Sequence, residues 1–401
     1  MNILVTGSAG FIGANLVKRL FTEMTEGTII GLDNLNNYYD VSLKEYRLKE
    51  LDTYYSQLIN SQLTLNSKLS TLNYKFVRGC IADKDLVNNL FAANKFDIVV
   101  NLAAQAGVRY SIENPDAYIE SNIIGFYNIL EACRHSKDLA TKNSELTTLH
   151  SQKTLNSKLS TLNYKGVQHL VYASSSSVYG GNTKVPFSVE DRVDNPVSLY
   201  AATKKSNELF AHCYSKLYDI PTTGLRFFTV YGPAGRPDMA YFGFTNKLLK
   251  GETIQIFNYG NCRRDFTYVD DIVEGIVRVM KKAPKAKVPE QVPEPVEGRE
   301  GPTTTLSTAP YAIYNIGGGQ PENLLDFVQI LQEELVRAGV LPKDYDFEAH
   351  KKLVPMQAGD VPVTYADSTA LERDFGFRPK ITLREGLRNF AEWYKDFYCR
   401  Y

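Results

Sequence analysis

Residues 2–23, NILVTGSAGFIGANLVKRLFTE, place three glycines between a short apolar run and an amphipathic one. The run Asn2–Thr6 predicts a buried strand, and the apolar spacing after Gly13 predicts a helix that continues to the end of this stretch. Gly7 and Gly10 allow a tight turn close to a pyrophosphate, and Gly13 allows the helix to pack on the sheet. The helix N-terminus then faces the phosphates. The spacing is G-x-x-G-x-x-G, and its strand-turn-helix context predicts a dinucleotide-binding fold.

An acidic residue follows the next predicted strand. Residues 28–32 are apolar and lead into Asp33, twenty residues after Gly13. A carboxylate at this position accepts hydrogen bonds from both hydroxyls of a ribose and repels a 2′-phosphate. The two features together therefore predict NAD, and not NADP, as the cofactor.

Strands and helices alternate through the following sequence. Residues 76–79, 96–101 and 168–173 read as buried strands, with predicted helices at Lys84–Asn94 and 116–134. This alternation is typical of an α/β fold with a Rossmann-like, doubly wound parallel sheet.

The chain is expected to divide into two parts, with some crossing between them. Residues 1–222 form mainly the NAD-binding Rossmann domain, and residues 223–401 form mainly a smaller C-terminal α/β lobe for the substrate. The predicted elements of this lobe are a strand at residues 224–229 and helices at residues 270–281, Leu324–Ala338 and 383–397.

Three segments interrupt the regular pattern. The dodecapeptide TLNSKLSTLNYK occurs at residues 64–75 and again at residues 154–165. Because two copies at unrelated places in an α/β alternation cannot form one repeating layer, a solenoid is excluded. We interpret both as inserted connections, near residues 53–75 and 136–165. A third insert is expected near residues 284–310, which are rich in Pro, Glu, Thr and Ser.

Residues 197–208, VSLYAATKKSNE, place Tyr200 and Lys204 four positions apart in a predicted helix, so both side chains face one pocket. An ammonium beside a phenol favours the phenolate, so Lys204 is expected to lower the pKa of Tyr200 and make it a base. Alone, such a pair is more often part of an ordinary amphipathic helix. The four serines of residues 174–180, SSSSVYG, favour a site, because they follow a strand where such sheets bind polar ligands.

Composition excludes several classes of protein. Lys and Arg number 45, and so do Asp and Glu, so no net charge attracts nucleic acid or a membrane surface. No apolar run has membrane-spanning length and no leader opens the sequence, so we expect a cytoplasmic protein that does not bind a membrane. The cysteines lack metal-ligand spacing and predict free thiols without a metal site: Cys80, Cys133, Cys213, Cys262 and Cys399.

Together these motifs resemble the extended short-chain dehydrogenase/reductase superfamily and its NAD-dependent epimerase/dehydratase family. Five stretches are similar to UDP-glucuronate 4-epimerases: DNLNNYYD from Asp33, NLAAQAGVRYS from Asn101, FTVYGPAGRPDMA from Phe228, RRDFTYVDDI from Arg263 and GDVPVTYAD from Gly359. The resemblance covers nearly the whole chain outside the three predicted inserts. It implies a UDP-sugar substrate and an NAD that stays bound between turnovers.

The resemblance also implies a role for each matching residue. Tyr200 is expected to be the catalytic base, Lys204 to hold the nicotinamide ribose, and Ser175 to hydrogen-bond the sugar O4. The expected cofactor-binding residues are Gly7, Gly10, Phe11, Ile12, Gly13, Asp33, Asn34, Ile81, Leu102, Ala103, Ala104 and Lys204. The expected substrate-binding residues are Ser176 and Ser177 near the uronate, Thr229 and Arg236 toward the sugar, and Arg264 and Asp360 at the nucleotide.

Two positions depart from the family pattern. Cys80 stands near the adenine where the family usually has a polar residue, often Asp, so a backbone group of Ile81 is expected to serve instead. Gln357 stands where related epimerases carry Arg, which weakens the expected hold on the diphosphate.

The implied reaction is inversion at C4 of a UDP-uronic acid, from UDP-glucuronate to UDP-galacturonate, through a transient 4-keto intermediate. Relatives that dehydrate or decarboxylate carry acidic residues in the serine segment, where this chain has Ser176 and Ser177. A 4-epimerase of a neutral or N-acetylated UDP-hexose and a non-catalytic NAD-sensing protein remain as alternatives. The resemblance further implies a homodimer in which residues 116–134 and 200–218 build a four-helix bundle.

Overall fold

The centre of the protein is a sheet of seven parallel strands. The strands along the chain are β1 (Asn2–Thr6), β2 (Glu26–Asp33), β3 (Thr71–Arg78), β4 (Ile98–Asn101), β5 (His169–Ser175), β6 (Thr222–Phe227), β7 (Thr229–Tyr231), β8 (Ile254–Ile256), β9 (Arg263–Tyr268), β10 (Tyr311–Ile316), β11 (Pro321–Asn323) and β12 (Lys351–Leu353). The central order is β10, β6, β5, β4, β1, β2, β3, which confirms the predicted Rossmann-like, doubly wound sheet. The computed structural model describes residues 1–64, 71–149, 164–286, 309–356 and 361–398.

Helices cover both faces of this sheet. The pattern of burial in β1 shows why the strand is apolar throughout: Ile3 and Val5 pack into one hydrophobic cluster and Leu4 into another on the opposite face. The helices are α1 (Phe11–Glu23), α2 (Ser42–Thr64), α3 (Lys84–Asn94), α4 (Tyr110–Glu113), α5 (Pro115–Tyr118), α6 (Phe126–Leu149), α7 (Leu199–Tyr218), α8 (Ala240–Leu249), α9 (Val269–Met280), α10 (Leu324–Ala338), α11 (Thr369–Phe375) and α12 (Leu383–Tyr398).

A smaller α/β lobe carries the remaining strands. β7, β9 and β11 form one small sheet, β8 pairs with β12, and α10 packs against α12. The central sheet extends past the predicted boundary at residues 222 and 223, because β6 and β10 are its last two strands. α9 also belongs to the helices that cover the central sheet, since it packs against α1. The C-terminal half of the chain therefore contributes to both parts.

The first dodecapeptide copy contains regular structure. α2 runs to Thr64, and Thr71–Arg78 pairs with β2 throughout, so residues 53–64 and 71–75 of the predicted insert lie in a helix and a strand. Leu72 is buried and Tyr74 half-buried between exposed neighbours, which is the alternation of an edge strand. The second predicted insert begins near residue 136, but α6 continues through residues 136–149. Residues 65–70, 150–163 and 287–308, which hold the rest of the predicted inserts, lie outside the described residues.

The described residues contain neither a membrane-spanning helix nor a cluster of metal-binding side chains. None of their helices is long and apolar enough to cross a membrane. Within the same ranges, no group of three or more His, Cys, Asp or Glu side chains is arranged to hold a metal ion. The described cysteines are free thiols: Cys80, Cys133, Cys213 and Cys262.

Candidate active site

A cavity of about 250 Å³ opens at the carboxyl ends of β1, β2, β4 and β5. It extends from the turn after β1 to the first turn of α7, which is where doubly wound sheets bind ligands. Ser175, Tyr200 and Arg236 line it, as predicted. All the predicted cofactor residues line it as well, namely Gly7, Gly10, Phe11, Ile12, Gly13, Asp33, Asn34, Ile81, Leu102, Ala103, Ala104 and Lys204.

The glycine turn leaves space beside the start of α1. Gly7 has φ +69°, a conformation that favours glycine, and its N–H donates to the carbonyl of Leu32 at 2.7 Å. A Cβ on Gly13 would lie 2.1 Å from the carbonyl oxygen of Gly7. Gly13 thus lets α1 approach the turn closely, while Leu16, Val17 and Leu20 of the same helix pack with strand residues of the sheet. A bare backbone at a helix N-terminus fits the pyrophosphate of NAD.

Asp33 is held at the end of β2. Its Oδ2 accepts from the N–H of Ala9 at 3.1 Å and its Oδ1 from the N–H of Leu35 at 2.9 Å. Nζ of Lys44, which also lines the cavity, lies 3.9 Å from Oδ1 and donates to Asn36 at 2.7 Å. Burial lowers the pKa of Lys44, and Asp33 opposes that shift. The predicted ribose carboxylate therefore has a cationic neighbour that the sequence reasoning missed.

Cys80 lines the other side of the cavity beside Gly79 and Ile81. Its sulfur lies 3.9 Å from Nδ2 of Asn34 and 3.4 Å from the backbone nitrogen of Ala82. A thiol is a weak hydrogen-bonding group. The expectation that a backbone group of Ile81 binds the adenine stays a prediction, and Ile81 lines the cavity.

Helix α7 presents Tyr200 and Lys204. Oγ of Ser198 accepts from the N–H of Ala201 at 3.1 Å and so caps the helix just before Tyr200. Lys204 is buried, and its Nζ donates to the carbonyl of Ala173 in β5 at 2.8 Å. Burial lowers the pKa of Lys204 to about 8. Nζ lies 6.0 Å from the ring centroid of Tyr200, so both residues share one pocket, as predicted.

The ionisation of Tyr200 differs from the prediction. Burial raises the pKa of Tyr200, while a hydrogen bond with Ser175 and the charge of Arg236 act to lower it. Asp238 acts in the raising direction. The predicted net lowering of the Tyr200 pKa is therefore wrong for this structure, because burial outweighs the lowering by Ser175 and Arg236.

Ser174 and Ser175 at the end of β5 have different hydrogen-bonding roles. Oγ of Ser175 accepts from the N–H of Ser177 at 3.2 Å and from its hydroxyl at 2.9 Å, which starts a 3₁₀ turn. The Ser174 hydroxyl donates to Glu208 at 2.6 Å, and Glu208 accepts two hydrogen bonds from Arg226 at 2.8 and 2.9 Å. Ser174 thus fastens β5 to α7, while Ser175 is available to Tyr200.

Several predicted substrate residues do not line the described cavity. Phe228 and Val230 line it, whereas Thr229 between them does not. The NH1 group of Arg264 donates to the carbonyl of Pro362 at 3.1 Å. The predicted residues that are not part of the described cavity wall are Ser176, Ser177, Thr229 and Arg264. Asp360 and Gln357 lie outside the described residues, and the substrate roles remain predictions.

Arg236 lines the cavity with an internal partner. Its Nε and NH2 donate to the two carboxylate oxygens of Asp238 at 3.0 and 2.5 Å. The hydroxyl of Tyr38 donates to the same carboxylate at 3.0 Å. Burial by itself lowers the pKa of Arg236, but Asp238 outweighs it and the pKa is raised. The sequence reasoning missed Asp238, although an Arg and an Asp two positions apart could have indicated a pair.

Arg47 connects the two ends of the cavity. This buried side chain of α2 donates from NH1 to the carbonyl of Ala9 in the glycine turn at 3.0 Å. Its Nε and NH2 donate to the carbonyls of Ala234 at 2.9 Å and Gly235 at 3.0 Å, directly before Arg236. The loop that carries Arg236 is therefore fastened to the cofactor turn. No motif in the sequence had singled out Arg47.

A doubly wound sheet whose cavity joins a glycine turn, a ribose-side carboxylate and a Ser–Tyr–Lys set defines a dinucleotide-dependent enzyme class of the short-chain dehydrogenase/reductase type. The chain belongs to the NAD dependent epimerase/dehydratase family, whose sequence model matches residues 3–292. The predicted family and the predicted cofactor, NAD, are thereby confirmed.

Individual relatives are similar over the full length. The chain is 40% identical over 404 residues to a probable UDP-glucuronate 4-epimerase of Rhizobium meliloti, covering 100% of this chain and 98% of that protein. It is 45% identical over 398 residues to protein CapI of Staphylococcus aureus, covering 99% of each. The crystal structure of UDP-glucuronic acid 4-epimerase from Bacillus cereus, in complex with UDP-glucuronic acid and NAD, aligns with a TM-score of 0.71 and 27% identity over 99% of this chain and 100% of that one.

Proposed function

We propose that the protein interconverts UDP-glucuronate and UDP-galacturonate by NAD-dependent inversion at C4. The observation that carries the proposal is the placement of Ser175, Tyr200 and Arg236 around one cavity with the cofactor residues. Support comes from the full-length similarity to proteins named as UDP-glucuronate 4-epimerases. A UDP-uronic acid brings a hydroxyl for Tyr200 and a carboxylate for Arg236.

Tyr200 takes the proton from the C4 hydroxyl, and Ser175 hydrogen-bonds both the phenol and the sugar O4. Bound NAD supplies the acceptor and later the donor of the C4 hydride. Lys204 holds the nicotinamide ribose near the end of β5, where its Nζ already binds Ala173. Tyr200 returns the proton after the transient 4-keto sugar has turned and exposed its other face.

Arg236, which is paired with Asp238, is placed to bind the sugar carboxylate. A 4-keto uronate is a β-keto acid that loses carbon dioxide readily, so the carboxylate must be held in a geometry that disfavours the loss. Side chains able to donate to it from the cavity wall include Arg236, whose guanidinium retains N–H groups beyond the two that bind Asp238.

The test is to incubate the purified protein separately with UDP-glucuronate, UDP-glucose and an N-acetylated UDP-hexose, and to follow the products by NMR. Formation of UDP-galacturonate from the first substrate alone is expected. Turnover of UDP-glucose or of the N-acetylated sugar alone would instead assign the neutral-sugar epimerase activity and overturn the role of Arg236. Binding of NAD without turnover of any sugar would favour a non-catalytic sensor.

We infer that the protein forms a homodimer through α7 and the helical segment of residues 116–134. Large apolar side chains are exposed on these helices, among them Ile124, Tyr127, Leu209 and Leu217. Large apolar side chains exposed on helices are available for a protein interface. Light scattering is expected to give twice the chain mass. Leu209→Glu should yield monomers, whereas Leu353→Glu, which changes an exposed leucine of β12, should leave the dimer intact.

We also propose a cytoplasmic location. Free thiols are typical of a reducing compartment, and Cys80 and Cys213 are not fully buried. Fractionation of cells that produce the tagged protein should recover it with cytoplasmic markers, and recovery with membranes would contradict this proposal.

A further inference from the structure

The partner of Arg236 points to a step that the reaction requires. We propose that Asp238 keeps the Arg236 guanidinium paired when the sugar carboxylate leaves it, so that the 4-keto sugar can turn in the cavity. This inference rests on the proposed function, because it needs a substrate that carries a carboxylate. Asp238 acts through Arg236 and is a positioning residue.

The geometry leaves a place for a second acceptor on Arg236. Asp238 occupies one edge of the guanidinium, formed by Nε and NH2. A guanidinium has five N–H groups in a planar fork, so one bidentate partner does not exhaust them. Tyr38 holds Asp238 through its hydroxyl and lies with its ring 5.9 Å from the Arg236 guanidinium carbon. Arg236 can therefore share its donors between Asp238 and a sugar carboxylate.

Turning of the sugar makes this sharing necessary. Inversion requires both faces of C4 to meet the cofactor in succession, so the C6 carboxylate must leave its first position during each turnover. The Arg236 side chain is only 24% exposed, and a largely buried cation without a partner is strongly unfavourable. Asp238 stabilises Arg236 in that interval and also weakens the hold on the substrate, because two carboxylates compete for one cation.

Asp238→Asn separates this role from simple support. The amide keeps an oxygen that accepts from Arg236 but removes the competing charge. We expect KM for UDP-glucuronate to fall and kcat to fall with it, each by roughly tenfold, because binding tightens while release of the carboxylate slows. Calorimetry in the Tyr200→Phe background should show tighter UDP-glucuronate binding, with the affinity for UDP unchanged.

The chain offers a matched control. Asp374 binds Nε and NH2 of Arg373 at 2.7 and 3.0 Å and accepts from the Tyr314 hydroxyl at 2.8 Å, which reproduces the Arg–Asp–Tyr pattern away from the cavity. Asp374→Asn is expected to leave KM and kcat unchanged. Tyr38→Phe removes a hydrogen bond that draws charge from the Asp238 carboxylate, so Asp238 should compete more strongly for Arg236 and KM for UDP-glucuronate should rise. It carries the test if Asp238→Asn fails to fold.

The outcomes are distinguishable. A lower KM together with a lower kcat in Asp238→Asn supports the proposal. A higher or unchanged KM with a lower kcat, in a wild-type enzyme that epimerises UDP-glucuronate, overturns it and leaves Asp238 as a support for Arg236 alone. If the wild type does not convert UDP-glucuronate, the proposed function itself fails and this inference fails with it.

Discussion

Different kinds of groups form the two ends of the cavity: backbone and glycines at the cofactor end, and polar side chains at the sugar end. At the cofactor end, backbone amides and glycines shape the wall, as at Gly7 and Gly13, where a Cβ would collide with neighbouring backbone. At the sugar end, the side chains of Ser175, Tyr200 and Arg236 form the wall, and Asp238 binds Arg236 from outside it. Substitutions at the first end should therefore act through space and cofactor binding, and those at the second through protons and charge.

The largest effect is expected at the sugar end. Tyr200→Phe removes the proton acceptor but keeps the ring that packs edge-on against Tyr118 at 6.0 Å. We expect kcat to fall by about 10²–10⁴, the usual contribution of a general base, while NAD content and melting temperature stay unchanged. NMR assays at steady state measure kcat. Absorbance of the supernatant after denaturation measures the NAD content, and thermal unfolding measures the melting temperature.

Tyr214→Phe is the matched control for Tyr200→Phe. Tyr214 lies on the same helix and its hydroxyl donates to Glu131 at 2.7 Å, remote from the cavity wall. It should retain full activity. Comparable turnover by both variants would mean that Tyr200 is not the base and that the sugar end does not work through its phenol.

The second largest effect is expected at the cofactor end. Gly13→Ala places a methyl group 2.1 Å from the Gly7 carbonyl oxygen, so α1 or the turn must shift. We expect about 1–3 kcal/mol of lost stability from overpacking, together with loss of bound NAD during purification. Chemical denaturation and cofactor content are the measurements.

Gly243→Ala provides the comparison for Gly13→Ala. Gly243 lies inside α8, and its added Cβ would meet only the Pro237 carbonyl at an ordinary 3.7 Å. This variant should gain up to about 1 kcal/mol from helix propensity and keep its NAD. Retention of NAD by Gly13→Ala as well would break the assignment of the cofactor end to backbone space.

The same difference between backbone and side-chain groups explains which parts of the site could be predicted from the sequence. The cofactor residues follow consecutive strands whose carboxyl ends must meet at one edge of a parallel sheet, so the motifs alone are enough to bring Gly7, Asp33 and Ala103 together. The edge strand from Thr71 was missed, because its polar alternation resembles a loop-rich insert.

The sugar end depends on relations that a linear pattern does not carry. Whether Thr229 lines the cavity depends on which face of β7 is turned toward it. A register shift of one residue would exchange the two faces of the strand. The pKa of Tyr200 depends on how deeply it is buried and on Arg236, which lies well beyond it in the sequence. The hold of Arg47 on the loop before Arg236 joins residues that are 187 and 188 positions apart, and no local motif indicates it.

A smaller effect with a pH signature is expected for Ser175→Ala. The hydrogen bond from Ser175 lowers the pKa of Tyr200, so its removal raises that pKa and leaves less phenolate at a given pH. We expect kcat to fall by about 10–100-fold and the acidic limb of its pH profile to move to higher pH. Ser177→Ala, which loses only the bond to Ser175, should leave the limb within the error of the wild-type profile. A fall in kcat without a shift would assign Ser175 to the sugar and not to Tyr200.

The smallest effect is expected for Ser176→Ala, and it bears most directly on the difference between the two ends. Ser176 lies in the 3₁₀ turn after β5 and does not line the cavity, so the family-based expectation of a uronate contact and the geometry disagree. If the geometry describes the working site, KM for UDP-glucuronate should change by no more than about twofold, as for a substitution away from structural and binding features. A rise of KM by tenfold or more with unchanged kcat would show that the serine turn moves onto the sugar when the substrate binds. The sugar end would then be assembled by its ligand, in contrast to a cofactor end whose glycine backbone is already in place.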